Sequence, residues 1–112
     1  MREIQYTDVV TAIKNVIVHC GTVLPDDAYK AIKDAHDNEK SPVAKEVLAQ
    51  LLTNADIAKD EKRPLCQDTG LAVFFVKVGA DCKIIGGLLR DAINEGTEQG
   101  YQAAYLRAST CE

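Results

Sequence analysis

Residues 63–79 read RPLCQDTGLAVFFVKVG. Cys66, Gln67, Asp68 and Thr69 stand side by side, closed by Gly70, directly before an apolar run. These residue types can do chemistry together. A loop cysteine that loses its proton ligates a soft metal or an iron–sulfur cluster. An adjacent amide and carboxylate can bind a polar substrate or move a proton. Thr69 can hold Asp68 in place, and Gly70 lets the backbone turn into the run that follows. The same letters are also ordinary turn chemistry before a strand, with Cys66 half-buried and inert. From these five residues alone both readings stand.

The elements that must position the cluster follow from periodicity. TDVVTAIKNVIVHC carries Val9, Ile13, Val16, Ile17 and Cys20 at helical spacing, with Thr7 as N-cap and Gly21 as stop. A second helix is expected from Pro25, with Asp26 and Asp27 in its first turn and Ala28, Ala31, Ile32 and Ala35 on its apolar face. The third starts with Ser41 as cap and Pro42 as first helical residue. Its stripe is Ala44, Val47, Leu48, Leu51, Leu52 and Ala55. KDEKRP reads as a loop, and Pro64 holds Arg63 extended. The run LAVFFVKV, at 71–78, has seven apolar residues of eight and does not alternate. That predicts a strand covered on both faces and ended by Gly79. From about Ile84 to Leu106 the pattern is helical, with Leu88, Leu89, Ala92, Ile93, Ala103 and Ala104 on the buried side. Gly96 and Gly100 lie one turn apart in that helix and each weakens it by about 1 kcal/mol relative to Ala. Either the helix breaks there or another backbone comes close.

The fold class expected is therefore α/β and helix-rich: about four helices around at least one buried strand. One doubly covered strand needs neighbours that the chain barely supplies. The 112 residues are thus expected to form part of a larger domain or to need a partner. Apolar residues are 46% of the chain, charged residues 27%, and the net charge of −4 argues against a nucleic-acid partner. No apolar run is long enough to span a membrane, and the N-terminus lacks a signal-peptide core, so a cytoplasmic location is expected. Cys20, Cys66, Cys82 and Cys111 are widely and irregularly spaced, without a C-x-x-C pair. Disulfides and a zinc site built from these four are not expected. Cys20 and Cys82 read as small buried hydrophobes.

Asp68-Thr69-Gly70 also matches the active-site triplet of aspartic proteases, whose retroviral subunits have about this length and contribute one Asp each. That family's triplet follows an apolar strand in a fold that is nearly all strand. Here RPLCQ precedes it and most of the chain reads as helix, so the match is weak. A longer match covers almost the whole chain. LPDDAYKAIKDA, KSPVAKEVLAQLLTNADIA, RPLCQDTGLAVFFVKVG and LLRDAINEGTEQGYQAAYLRAS occur in the order found in the alpha-type catalytic region of iron–sulfur hydro-lyases. The chain resembles that family, which comprises class I fumarate hydratase and L-tartrate dehydratase.

The resemblance implies roles. Cys66 matches the first of three cysteines that hold a [4Fe–4S] cluster. The iron without a protein ligand then binds substrate hydroxyl and carboxylate as a Lewis acid, so that hydroxide departs as metal-bound water. Gln67 and Asp68 match residues lining the site: Gln67 for a substrate carboxylate, Asp68 for substrate contact and for orienting or assisting the catalytic base. Arg107 matches an arginine that clamps a substrate carboxylate, a task suited to a planar guanidinium. Arg107 also suits a helix C-terminus as a plain solvated charge. Cys82 and Cys111 do not fall at the places of the other cluster ligands. The resemblance thus describes residues 1–112 as the N-terminal part of an alpha-type domain of the two-subunit form. It implies a small dicarboxylate substrate (fumarate or malate before tartrate), a beta-type partner subunit and an oligomer. A non-catalytic helical interaction module is the alternative.

Overall fold

A computed structural model describes residues 1–65 and 71–106. The element order is β1 (Arg2–Gln5), α1 (Tyr6–Thr22), α2 (Asp26–Asn38), α3 (Pro42–Glu61), β2 (Cys82–Ile85) and α4 (Leu89–Ala103). The class is α/β and helix-rich, with a small two-stranded parallel sheet. Two compact units divide the chain. One gathers the described residues of Met1–Val18 and Asp68–Glu112, the other those of His19–Gln67.

In the first unit β1 and β2 run parallel, with Ile4 beside Ile84 and Glu3 beside Lys83. The ladder is fixed at its start by the Arg2 N–H, which donates to the Asp81 carbonyl at 2.7 Å. α1 and α4 pack through very small residues. A Cβ placed on Gly96 would lie 2.5 Å from Ile13 Cβ and 2.8 Å from the Val10 carbonyl oxygen. One placed on Gly100 would lie 2.6 Å from Ile17 Cβ and 3.2 Å from the Lys14 carbonyl oxygen. Of the two explanations for this glycine pair, close backbone approach is the one observed, and the helix runs through both positions. Val10, Ile17, Ala92 and Ala104 are the buried apolar residues here. In the second unit α2 packs on α3. Its buried residues are Ala55, Ala58 and Thr22, and Leu65 N–H donates to the Gly21 carbonyl at 2.9 Å. Among the described residues no large side chain is completely buried, so both cores are built mainly from alanine, glycine and β-branched residues.

Several sequence expectations hold. Ser41 caps α3, its hydroxyl accepting from Ala44 N–H at 3.4 Å, and Pro42 opens the helix. Asp26 and Asp27 occupy the first turn of α2. Others are corrected. The expected strand at 71–78 is absent from the described sheet: the segment carries no strand assignment and has no strand partner among the described residues, and Phe75 is 97% exposed. Leu71, Val73, Val76 and Val78 are exposed as well. The physical reason lies partly in the turn that follows. Cys82 N–H donates to the Gly79 carbonyl at 3.1 Å, closing a two-residue connection. Neither Ala80 nor Asp81 has a positive φ. The connection is therefore not a primed turn, and other two-residue turns splay their flanking strands. β2 pairs with β1 instead, a strand that the helical reading of the N-terminus had left unassigned.

The last helix begins at Leu89, not near Ile84. Ile84 and Ile85 belong to β2, and Gly86, at φ 98, turns the chain before α4. KDEKRP is only half a loop, since Lys59, Asp60 and Glu61 continue α3. α1 starts at Tyr6 and runs through Gly21 to Thr22, so neither Thr7 nor Gly21 bounds it. The α3 stripe splits: Ala44, Leu48, Leu52 and Ala55 are shielded to different degrees, whereas Val47 and Leu51 are exposed. Of the expected apolar face of α2, Ala31 and Ala35 are exposed, whereas Ala28 and Ile32 are partly covered. Cys20 is exposed and Cys82 half-buried, both as free thiols.

Candidate functional site

Every residue that the sequence singles out for chemistry, Cys66, Gln67, Asp68 and Arg107, lies outside the described residues, as do Thr69, Gly70 and Cys111. What the structure shows is how the chain is led to them. α3 ends at Lys62, which takes a left-handed conformation at φ 53. The N–H groups of Lys62 and Arg63 both donate to the Ala58 carbonyl. Pro64 and Leu65 follow, and the Leu65–Gly21 hydrogen bond pins the segment one residue before Cys66.

α4 ends in the same manner before Arg107. Tyr105 is left-handed at φ 57 and its N–H donates to the Gln102 carbonyl at 3.4 Å. Leu106 N–H reaches back to the Tyr101 carbonyl at 2.9 Å. This is the helix-terminating pattern in which a left-handed residue is followed by a six-to-one hydrogen bond. Glycine normally takes the left-handed position, but Lys62 and Tyr105 take it here. Side chains other than glycine, asparagine or aspartate rarely adopt that conformation. Both exits are therefore held by hydrogen bonding against local preference.

Sequence reasoning missed a clasp in the first unit. The Tyr6 hydroxyl donates to Glu95 Oε2 at 2.7 Å, across 89 positions of sequence, and Gln99 Nε2 donates to Glu95 Oε1 at 3.3 Å. The Tyr6 ring lies against Gly87, where a Cβ would come within 2.5 Å of ring carbon Cδ2. Hydrogen bonding to Glu95 raises the Tyr6 phenol above its ordinary value near 10; desolvation and the charges of Glu95 and Asp91 add to this. Glu95 belongs to the AINEG stretch quoted above, and its carboxylate is engaged in joining the start of α1 to α4. No local pattern could have found that pair. An aromatic residue at a strand–helix junction and a glutamate on a distant helix carry no shared spacing.

In the second unit a cavity of about 230 Å³ is lined by Leu24, Asp26, Tyr29, Ala55, Asp56 and Lys59. The Tyr29 hydroxyl donates to Asp56 Oδ2 at 3.4 Å, and that hydrogen bond is the largest cause raising its phenol, ahead of desolvation and the Asp56 charge. The cavity contains none of the residues singled out for chemistry. Among the described residues no group of three or more His, Cys, Asp or Glu side chains could hold a metal ion. None of the helices among them is long and apolar enough to cross a membrane.

Comparison with known proteins gives the context for these elements. The family model described as fumarate hydratase (Fumerase) matches residues 10–112. The L(+)-tartrate dehydratase subunit alpha of Escherichia coli K12 is 36% identical over 88 residues, which is 76% of this chain and 29% of that protein. The subunit of the same name from Shigella boydii matches to the same extent. A Methanocaldococcus jannaschii protein, provisionally given that subunit name, is 33% identical over 90 residues, 75% of this chain and 30% of its own length. The chain thus spans about three-tenths of the length of the curated relatives it matches. With a family match that runs from the first turns of α1 through α4 and includes the CQDTG segment, the chain belongs to the fumarate hydratase family.

Proposed function

We propose that residues 1–112 are the N-terminal part of the alpha-type region of a [4Fe–4S]-dependent hydro-lyase acting on a small dicarboxylic acid. Fumarate and malate are the first candidates and tartrate the second. The observation that carries this is the family match over residues 10–112, with Cys66, Gln67, Asp68 and Arg107 inside it. The names of the relatives place hydro-lyase chemistry in subunits called alpha. We assign Cys66 to the cluster, Gln67 and Arg107 to substrate carboxylates, and Asp68 to the substrate and to orienting or assisting the base.

The cluster asks for more than one thiolate. Cys66 is one ligand, Cys20 and Cys82 are free thiols, and the described residues bring no further group of ligands together. The residues at hand therefore do not fit a cluster site by themselves. In this reading the other two thiolates come from the rest of the alpha-type polypeptide. A beta-type subunit completes a cytoplasmic oligomer, and the 112 residues alone are inactive.

The non-catalytic module predicts a chain with no exposed apolar strand, and the exposed run at 71–78 speaks against it. A protease-like dimer would be almost wholly β, and the helix-rich fold speaks against that. The test is anaerobic reconstitution with iron and sulfide. The 112-residue chain is expected to remain colourless and without activity on fumarate, malate or tartrate. The alpha-type polypeptide carrying this segment, co-expressed with its beta-type subunit, is expected to gain cluster absorbance and hydro-lyase activity. Both should be lost in Cys66→Ser. A brown, active 112-residue product would overturn the assignment as a part. A complex whose activity survives Cys66→Ser would overturn the hydro-lyase role of Cys66.

A further inference from the structure

Among the described residues, Lys62 at φ 53 and Tyr105 at φ 57 are the two that combine a side chain with a positive φ. Each stands just past a helix, on the stretch that leads to a residue assigned above to the hydro-lyase site. A backbone in so sparsely populated a region persists where its surroundings over-determine it, and such residues cluster at functional sites. At Tyr105 both sides are fixed. Before it, Gly100 packs on α1 so closely that a Cβ there would lie 2.6 Å from Ile17 Cβ, and Ala104 is buried. After it, Leu106 N–H donates to the Tyr101 carbonyl at 2.9 Å, one residue before Arg107. We propose that Tyr105 is a positioning residue, a role that rests on the assignment of Arg107 to a substrate carboxylate: its left-handed turn sets how the chain leaves α4 and so orients the Arg107 guanidinium.

The chemistry of that contact explains why the turn matters. A planar guanidinium grips a carboxylate through two parallel N–H bonds, so its plane must be set as well as its position. The long arginine side chain sets neither by itself. If residue 105 returned to the extended or right-handed regions that side chains prefer, Leu106 would lose the Tyr101 carbonyl and the chain would leave α4 in another direction. Misplacing a positioning group by about 1 Å can cost on the order of 100-fold in rate. The rival role for Tyr105 is a plain helix stop, since many helices end on a left-handed residue. The two roles differ in what a substitution does to substrate binding once the protein has assembled.

The test uses the alpha-type polypeptide co-expressed with its beta-type subunit. It measures KM and kcat on whichever of fumarate, malate or tartrate is turned over, and inhibition by succinate, an unreactive dicarboxylate. Tyr105→Val brings a β-branched side chain that opposes the left-handed turn, and is expected to raise KM and the succinate inhibition constant at least about tenfold while kcat falls less. Tyr105→Gly and Tyr105→Asn enter that conformation readily and are expected to restore both constants to within about twofold of the parent. Arg107→Lys keeps the charge but loses the fork and should raise both constants by itself. Adding Tyr105→Val to it should then raise them little further, because both changes act on one contact. If Tyr105→Val keeps the parent constants while Arg107→Lys raises them, the positioning role is overturned and the Arg107 assignment stands. A tenfold loss in Tyr105→Gly and Tyr105→Asn would overturn the role as well, by making the ring and not the turn responsible, and that measurement decides even if Tyr105→Val fails to assemble. Full additivity of Tyr105→Val and Arg107→Lys would mark a plain helix stop. Parent constants in Arg107→Lys would instead sink the Arg107 assignment, and the positioning role with it.

Discussion

The α1–α4 contact and the segment 71–78 are both rich in apolar residues, yet one is closed and the other open. α4 meets α1 through Gly96 and Gly100, so closely that a single added carbon would overlap Ile13 or Ile17. The segment 71–78 has larger side chains, but most of them stand exposed. The difference is geometric. A helix satisfies its own backbone and needs only a surface of the right shape. A strand must also find a neighbour for its N–H and C=O groups. The turn at Ala80 and Asp81 does not deliver β2 as that neighbour. Apolar content drives burial only where backbone pairing and shape allow it.

Breaking the closed side should give the largest effect. Gly96→Ala gains helix propensity but forces its Cβ against Ile13 and the Val10 carbonyl. Overpacking of this kind is expected to outweigh that gain and destabilise the chain by roughly 1–3 kcal/mol. Urea unfolding measures it, and a variant as stable as the parent would show that the helices stand further apart. Pairing Gly96→Ala with Ile13→Ala should make the two effects non-additive, since the second change removes the Ile13 Cγ2 contact while the Cβ and Val10 carbonyl contacts remain.

The exit of the closed side offers a smaller change of opposite sign. Tyr105 is exposed and left-handed at φ 57. Replacing it with glycine removes the conformational penalty at the price of extra freedom in the unfolded chain. The net expectation is a gain of about 0.5–1 kcal/mol, read from the same unfolding curves. A loss would show that the Tyr105 side chain makes contacts worth more than the strain.

The smallest effect is expected at the clasp, and its pH dependence shows only at high pH. The Tyr6 phenol is raised in the folded chain, so the folded state holds that proton more tightly than the unfolded state. Its contribution is complete below the ordinary tyrosine value and fades as pH climbs through the raised one. Melting temperatures of the parent chain and Tyr6→Phe, compared between about pH 9 and 11, should converge as pH rises. A constant gap would mean that the Glu95 hydrogen bond contributes nothing that depends on the phenol proton.

Much of the helical framework was legible because its signals are local. Ser41-Pro42 marks the start of α3 wherever it is placed, since the cap bonds a residue three positions on. Asp26 and Asp27 mark α2 for the same reason. β1 and β2 were not legible, because a four-residue strand shows too short a pattern and its pairing joins residues 80 positions apart. The clasp of Tyr6 and Glu95 was hidden by the same distance. The candidate site was legible only as a motif. Cys66, Gln67, Asp68 and Arg107 are recognised by their order within a long family pattern, and no helical or strand period points to them.

Sequence alone therefore determined the family, the capped helices and the residues proposed for chemistry, because those depend on residue type and short spacing. Tertiary structure decided that the glycines of α4 serve close packing, that β2 chooses β1, and that 71–78 stays open. Each of those outcomes turns on which backbone reaches which partner, and on whether a turn brings two edges into register.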